Sequence, residues 1–173
     1  MNYFQLFNLP EKFLIDQKLL VKNFYDLQKK FHPDLFILDT PLIQQKALKQ
    51  SILINNAFQT LKNPYHRAEY LLNLNNIDLN DKKFKLNDNN FFKKYLNLCE
   101  NFNKIKLMSL SKNKLIIFNK NIIMIKIKQY NEKIAIELEN KKWLYANYTI
   151  QKIYYFIKLQ KNIEKEIRAN NIY

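Results

Sequence analysis

Apolar residues recur at helical spacing along most of this chain, and the pattern predicts an all-α protein. The clearest segment is 16–31, where Asp16 can cap the first turn and apolar residues follow at i, i+4, i+7 and i+11. These apolar residues are Leu20, Phe24, Leu27 and Phe31. Lysines and a tyrosine occupy the other side of the same segment, at Lys18, Lys22, Tyr25 and Lys29. We therefore expect one buried face and one basic face on this helix.

A second helix is predicted by Thr40 as a cap and Pro41 at the first helical position. Its stripe is Ala47, Ser51, Ile54, Phe58 and Leu61. A short loop joins two helices with matching stripes, so we expect an antiparallel hairpin. Residues 3–7 predict a short helix packed on this hairpin, and a cap at Asn63 with Pro64 predicts another that holds Arg67, Ala68, Leu71 and Leu72. Together these elements predict an N-terminal domain over residues 1–75.

The rest of the chain predicts a second helical domain. Residues 76–87 are polar and without a sustained period, so we interpret them as a linker. Within 88–173, amphipathic patterns run from Asp88 to about Leu107, from a Ser111 cap to about Glu139, and from about Lys141 to Ala169. Their core faces are Phe91, Tyr95, Leu98, Phe102 and Ile105, then Ile123, Ile127, Tyr130, Ile134 and Leu138, then Trp143, Ala146, Ile150, Ile153 and Ile157. Short connections predict an up-down-up three-helix bundle.

The composition excludes several kinds of site. The chain has no glycine, which excludes glycine-rich phosphate loops and dinucleotide fingerprints, and it leaves Asn or Asp to adopt left-handed helix ends. Cys99 is the only cysteine, so an internal disulfide or a multi-cysteine metal site is impossible. The two histidines lie far apart in sequence, and we expect no metal and no cofactor. Packing is the commoner role for a single cysteine, with nucleophilic chemistry as the alternative.

The net charge of +14 raises the possibility of nucleic-acid binding. Lysine supplies 27 of the 29 basic residues, and Asn, Ile, Phe and Tyr are also abundant. All five have codons without G or C, so an A/T-rich genome explains the charge. The lysine-rich segment 104–133 is interpreted as a solvated face, with RNA binding or a membrane surface as the alternative. Without a signal peptide or an apolar run near ~18 residues, we expect a cytoplasmic protein and no membrane partner.

The tripeptide His32-Pro33-Asp34 follows directly after the first long helix. Proline fixes its own φ, lacks a backbone N–H and disfavours helical geometry in the residue before it. The helix must therefore end near Phe31, which leaves an imidazole and a carboxylate on a stiff, exposed corner. A simple helix-ending turn is the alternative. A catalytic His–Asp pair would need a nucleophile and oxyanion donors that are not evident nearby, so we predict a protein-binding corner and no enzymatic activity.

The first 75 residues resemble a J-domain, on the helix 20–31, the tripeptide and the segment 54–61. More narrowly, segments 3–7, 24–28, 32–36 and 63–72 are similar to the HscB-type co-chaperones of iron–sulfur cluster assembly, in which a J-domain precedes a three-helix bundle. The chain departs from the pattern of that family in two places. Asn8 stands where glycine is usual, and Lys93, Asn97 and Lys104 stand on a face where the family usually shows acids.

The resemblance implies two binding sites. A heat-shock ATPase chaperone of the HscA type would bind His32, Pro33, Asp34, Lys22, Tyr25 and Lys29, and its ATP hydrolysis would be stimulated. An iron–sulfur scaffold protein of the IscU type would bind Phe92, Leu96, Glu100 and Tyr155. Phe92, Leu96 and Cys99 also form a second apolar stripe, which is typical of either a docking face or a deeply buried helix. A J-domain protein with a different client remains an alternative.

Overall fold

The computed structural model describes residues 1–79, 85–108 and 111–169, and within these ranges it is helical without strands. The helices are α1 (Tyr3–Leu6), α2 (Gln17–Phe31), α3 (Pro41–Lys62), α4 (Pro64–Leu74), α5 (Asn89–Lys106), α6 (Ser111–Phe118), α7 (Ile125–Glu139) and α8 (Trp143–Ala169). The all-α prediction is confirmed. The chain divides into two compact units, Met1–Leu74 (unit 1) and Asn75–Tyr173 (unit 2). Residues 80–84 of the predicted linker and the Ser111 side chain lie outside the described part.

The centre of unit 1 is the hairpin of α2 and α3. The rings of Phe24 and Phe58 stack with their centroids 4.0 Å apart, and the Gln28 side-chain amide donates to Asn55 Oδ1 at 2.9 Å. Residue numbers rise along α2 and fall along α3 through these contacts, so the hairpin is antiparallel, as its sequence predicts. Its fully buried core side chains include Leu20, Ile54 and Leu61.

Helices α1 and α4 close the open side of this hairpin. Phe4 and Phe7 are fully buried, and the Tyr3 ring stacks on Tyr70 at 4.4 Å. Arg67 is buried as well: its Nη1 donates to the Leu61 carbonyl at 2.7 Å, and its guanidinium lies 5.0 Å from the centre of the Phe13 ring. Burial lowers the pKa of Arg67 to about 10. The side chain thus anchors the end of α3 to the segment that precedes α2.

The predicted helix caps have different outcomes. Two are confirmed, because Asp16 and Asn63 accept hydrogen bonds from backbone N–H groups of the first turn. Asp88, at the predicted start of α5, caps that helix in the same way. The Thr40 cap is wrong in its chemistry: Thr40 occupies the N-cap position, but its side chain makes no capping bond. The Gln44 side chain instead donates to the carbonyls of Ile37 and Asp39, at 2.8 and 3.0 Å. The Gln44 amide thus holds the loop that carries the tripeptide against the start of α3.

Three residues adopt the left-handed conformation in place of glycine: Asn8 (φ 49°), Asn76 (φ 61°) and Lys141 (φ 54°). The two asparagines follow the expectation from composition, and the lysine does not. At Lys141 the end of α7 forms a Schellman motif, in which the N–H groups of Lys141 and Lys142 donate to the carbonyls of Leu138 and Glu137. The motif occupies both lysines, so α8 begins at Trp143, two residues after the predicted start at about Lys141.

We expect the Lys141→Gly variant to be more stable than the parent, with a free energy of unfolding about 0.5–1 kcal/mol higher. Glycine removes the steric cost of a left-handed residue with a Cβ atom, and this gain exceeds the loss from the greater entropy of the unfolded chain. Chemical denaturation measures this difference. Asn76→Gly is the matched control and should gain less, since asparagine already tolerates this conformation. An equal or larger gain in the control would contradict the strain at Lys141.

Unit 2 differs from its predicted form in the second helix. The expected single helix over 111–139 is interrupted by a π-helical segment, Asn119–Met124, between α6 and α7. The i→i+5 bonds of such a segment shift the buried face, which a 3.6-residue period does not predict. Around it the core of the unit gathers Leu86, Phe91, Phe102, Leu115, Phe118, Ile123, Phe156, Leu159 and Ile163. The other predicted core residues of α5, Tyr95, Leu98 and Ile105, are partly buried against this cluster.

Helix α5 is tied to α8 at its start. The Lys152 ammonium contacts Asp88 Oδ2 at 2.7 Å and lies 5.4 Å from the centre of the Phe91 ring. The Leu86 N–H donates to the Gln151 side chain at 2.9 Å, and Leu86 is buried although it belongs to the predicted linker segment. The Lys152 hydrogen bond, followed by the backbone N–H of Phe91, lowers the pKa of Asp88. This contact orients the helix that carries the second candidate site.

The lowered pKa of Asp88 predicts a pH-dependent contribution to stability. A carboxylate whose folded pKa lies below its ordinary value of 3.8 stabilises the fold above that value, and the contribution is lost as the pH falls through the folded pKa. We expect Asp88→Asn to unfold at a lower temperature than the parent at pH 7. The gap should close as the pH falls through the folded pKa of Asp88. A gap that is constant with pH in thermal melts would rule out the ion pair as its cause.

Candidate functional site

The tripeptide forms a sharp corner between α2 and a short 3₁₀ turn, Pro33–Phe36. Helix α2 ends at Phe31, and His32 is extended (φ −64°, ψ 130°), the geometry that a following proline imposes. Pro33 then opens the turn, and the Leu35 N–H donates to the His32 carbonyl at 3.0 Å. The proline ring and this hydrogen bond therefore fix the bend, and the corner has a defined shape.

The two polar side chains of the corner are held together and remain accessible. The backbone N–H of Asp34 donates to His32 Nδ1 at 3.3 Å, and the Asp34 Oδ2 lies 3.5 Å from the same nitrogen. The side chains of His32 and Asp34 are 52% and 76% exposed. The Asp34 carboxylate keeps most of its acceptor sites for a partner. The corner can bind a cationic donor, and it offers no nucleophile.

The basic face of α2 lies beside this corner. Lys22, Tyr25 and Lys29 are all exposed, and the Tyr25 ring also lies beside the Phe24 ring, with centroids 5.5 Å apart. Among the residues that the structure describes, neither lysine forms an ion pair. These charges are available to an acidic surface on a partner. A helix face that is simply solvated would have the same exposure.

The second candidate site lies on α5 and α8 of unit 2. The rings of Phe92 and Tyr155 meet edge to face with centroids 5.4 Å apart, and the Tyr95 ring contacts Tyr155 at 5.3 Å. Leu96 is 58% exposed, and Glu100 is also exposed. The structure thus brings Phe92 and Tyr155 into direct contact and leaves the Leu96 side chain open to solvent above the same helix face.

Cys99 belongs to the edge of this site. It is a free, half-buried thiol, one turn beyond Tyr95 on α5. Burial, with a further effect from a hydrogen bond to Cys99, raises the pKa of the Tyr95 hydroxyl. The half-burial of Cys99 and Phe92 shows that the second apolar stripe of α5 is mixed: part of it packs in unit 2, and Leu96 does not.

The chain is similar along its whole length to curated co-chaperones, although it matches no protein-family model. It is 40% identical to the co-chaperone protein HscB of Buchnera aphidicola subsp. Acyrthosiphon pisum (strain Tuc7), over 100% of this chain and 97% of the relative. The HscB of strain 5A matches with the same identity and coverage. The chain belongs to the HscB co-chaperone family.

Solved HscB structures share the fold. Chaperone HscB from Vibrio cholerae is 34% identical, with a TM-score of 0.83 over 95% of this chain and 96% of that one. Human co-chaperone protein HscB is 25% identical, with a TM-score of 0.82 over 99% of this chain and 83% of the human chain. The architecture is therefore the HscB architecture, a J-domain followed by a C-terminal helical bundle. The HscB proteins are co-chaperones, which are a non-catalytic class.

Two further properties of this HscB chain bear on its sites. The part of the chain that the structure describes contains no cluster of three or more His, Cys, Asp or Glu side chains suited to a metal ion. Over the same part, the helices fall short of the length and hydropathy that a membrane span requires.

Sequence reasoning missed a group of exposed apolar side chains in the loop after the corner and on α3. Ile37 and Leu48 line a shallow groove with Pro33 and Asp34, and both are exposed. Leu35, Leu38, Leu42 and Ile52 are also exposed in the same loop and helix. The available signal was the position of Leu42, Leu48 and Ile52, which lie outside the buried stripe of α3. The periodicity of a helix predicts its buried face and gives no information about apolar residues elsewhere on its surface.

Proposed function

We propose that this HscB-family protein stimulates ATP hydrolysis by a heat-shock ATPase chaperone of the HscA type and brings it an iron–sulfur scaffold protein of the IscU type. The observation that carries the proposal is the exposed His32-Pro33-Asp34 corner at the end of a basic helix. The protein performs no hydrolysis itself, because the corner supplies a carboxylate and an imidazole without a nucleophile.

Asp34 is the central residue of the proposed chaperone contact. Its carboxylate accepts hydrogen bonds from an arginine of the ATPase, and this pairing repositions the catalytic groups of the ATPase. Charge-assisted pairs between a guanidinium and a carboxylate are strong and directional. Pro33 holds the carboxylate in place before binding, which reduces the entropy lost when the complex forms. Lys22 and Lys29 guide the approach by attraction to an acidic surface of the ATPase.

The proposed client contact uses Phe92, Leu96, Glu100 and Tyr155. Aromatic side chains near an exposed leucine resemble the apolar centre that protein interfaces require, with Glu100 at its polar rim. The two proposed contacts belong to different compact units. One molecule can therefore hold the ATPase through unit 1 and the scaffold protein through unit 2.

The decisive experiment is the steady-state ATPase rate of the cognate HscA-type chaperone. The rate is measured alone, with this protein, with the IscU-type scaffold protein, and with both. We expect stimulation by this protein, and a rate with both proteins that exceeds the sum of the separate effects. No stimulation by this protein under any condition would refute the chaperone contact.

A different client is the second candidate function. The observation that favours it is the exposure of Lys93, Asn97 and Lys104 on α5, at positions where the family resemblance leads one to expect acids. In the same ATPase experiment, this candidate predicts stimulation without any added effect of the scaffold protein. An RNA partner has no support beyond net charge, and a gel-shift measurement at physiological salt would detect it.

A further inference from the structure

The outer side of α3 carries large apolar side chains that the fold does not use. Leu48 and Ile52 are 49% and 50% exposed, and Ile37 in the preceding loop is 65% exposed. Isolated exposed apolar residues are normal on a protein surface, whereas a contiguous group marks an interaction site. Whether these residues form one group depends on their positions around the hairpin.

Two contacts locate Leu48 and Ile52 on the side of the hairpin that carries the corner. A shallow groove is lined jointly by Pro33, Asp34 and Ile37 on the corner and by Leu48 on α3. Farther along, the hydrogen bond between Gln28 and Asn55 joins α2 to α3.

Residues three apart on a helix share a face. The Gln28–Asn55 bond therefore locates the residues three positions before each of its partners. Tyr25 precedes Gln28 by three positions, and Ile52 precedes Asn55 by three. Because the two helices are antiparallel, Ile52 lies on the corner side of this bond and Tyr25 lies on the other side. Ile52 follows Leu48 by one turn on the same face of α3, and Leu48 lines the groove beside Asp34, so Leu48 and Ile52 adjoin the corner.

The proposed chaperone contact lacks an apolar centre without this surface. Its residues on α2 and the corner are almost all polar or charged: Lys22, Lys29, His32 and Asp34. A specific protein interface buries about 800 Å² on each partner and combines an apolar core with a polar rim. A carboxylate and a few lysines form such a rim, and the apolar side chains beside Asp34 are those of the loop and the outer side of α3.

We infer that Leu48 and Ile52, with Ile37, form the apolar centre of the surface that binds the ATPase chaperone; this inference rests on the proposed function. The occupant is an apolar patch of the ATPase adjoining the cationic group that pairs with Asp34. Self-association through the same surface is disfavoured by charge, because two copies that each carry +14 repel one another.

The test compares a Leu48→Gln/Ile52→Gln double variant with the parent in the ATPase assay, across a concentration series of the full-length protein. Glutamine retains helix propensity and removes the apolar contact. We expect the concentration for half-maximal stimulation to rise at least about tenfold, a typical cost for losing central interface residues. The maximal rate at saturation should stay near the parent value, because Asp34 is intact.

The matched control is Leu14→Gln/Leu74→Gln, which removes two exposed leucines of unit 1 away from the corner. This control should stimulate with the parent's half-maximal concentration, and both double variants should melt like the parent. If the α3 variant also matches the parent, the inference is overturned while the proposed function stands. If the parent itself gives no stimulation, both fail. A parent that dimerises in sedimentation, with dimers lost in the α3 variant and its ATPase response unchanged, would instead identify a second copy as the occupant and overturn the inference.

Discussion

We expect Asp34→Asn to abolish stimulation of the heat-shock ATPase chaperone while the protein folds normally. The fold does not depend on this carboxylate, because it is 76% exposed and its contact with His32 spans 3.5 Å at the surface. Exposed pairs of this kind contribute about 0–1 kcal/mol to stability. Asparagine preserves the shape of the corner and removes only the charge. In the complex, by contrast, loss of one partner from a desolvated charge pair costs about 2–5 kcal/mol.

The measurement is the ATPase rate of the chaperone at increasing concentrations of the Asp34→Asn protein, with a thermal melt of the same sample. Asp39→Asn is the matched control, since it makes the same chemical change at an exposed aspartate of the same loop. We expect the control to stimulate like the parent. Full stimulation by Asp34→Asn would remove Asp34 from the mechanism, and the proposed chaperone contact with it.

We expect the Phe92→Ala/Leu96→Ala double variant to lose binding of the scaffold protein and to keep stimulation of the ATPase. Interface residues at an apolar centre typically cost 2 kcal/mol or more each when truncated, or roughly thirtyfold in affinity. The ATPase response should persist, because His32, Asp34 and the basic face of α2 belong to unit 1 and are unchanged. Calorimetric titration with the scaffold protein measures the first effect, and the ATPase assay measures the second.

The single variant Leu96→Ala separates docking from folding in this site. Phe92 packs against Tyr155, so its truncation also removes contacts within unit 2. Leu96 is 58% exposed, and its truncation should leave the melting temperature unchanged. Ile117→Ala on α6 is the matched control, with the same exposure of 58%. Equal binding by the Leu96 and Ile117 variants would show that Leu96 is only a solvated side chain.

The corner could be predicted because its cause is local. Proline acts on its own φ and on the residue before it, and neither effect depends on distant parts of the chain. The end of α2 at Phe31 and the extended His32 follow from that chemistry. The caps at Asp16, Asn63 and Asp88 are local in the same sense, since each side chain bonds the backbone two or three residues ahead.

The errors arose where a competing contact changed an outcome that residue type alone predicts. Thr40 has the residue type of a cap, but the Gln44 amide bonds the loop carbonyls near it and the threonine makes no capping bond. The π-helical turn at Asn119–Met124 depends on how α6 and α7 both pack against the core of unit 2. Lys141 accepts a left-handed conformation that its residue type disfavours, because a Schellman motif ends α7 there.

The sequence by itself determined the helices, their buried stripes and the stiff corner, because periodicity and proline geometry act over a few residues. Only the tertiary structure decided which apolar residues outside those stripes come together. Leu48 and its neighbour Ile52 do not stand out along α3 until the loop brings Asp34 and Ile37 beside Leu48. The physical reason is that a binding surface is assembled from segments far apart in the chain, and their alignment depends on packing that no local pattern records.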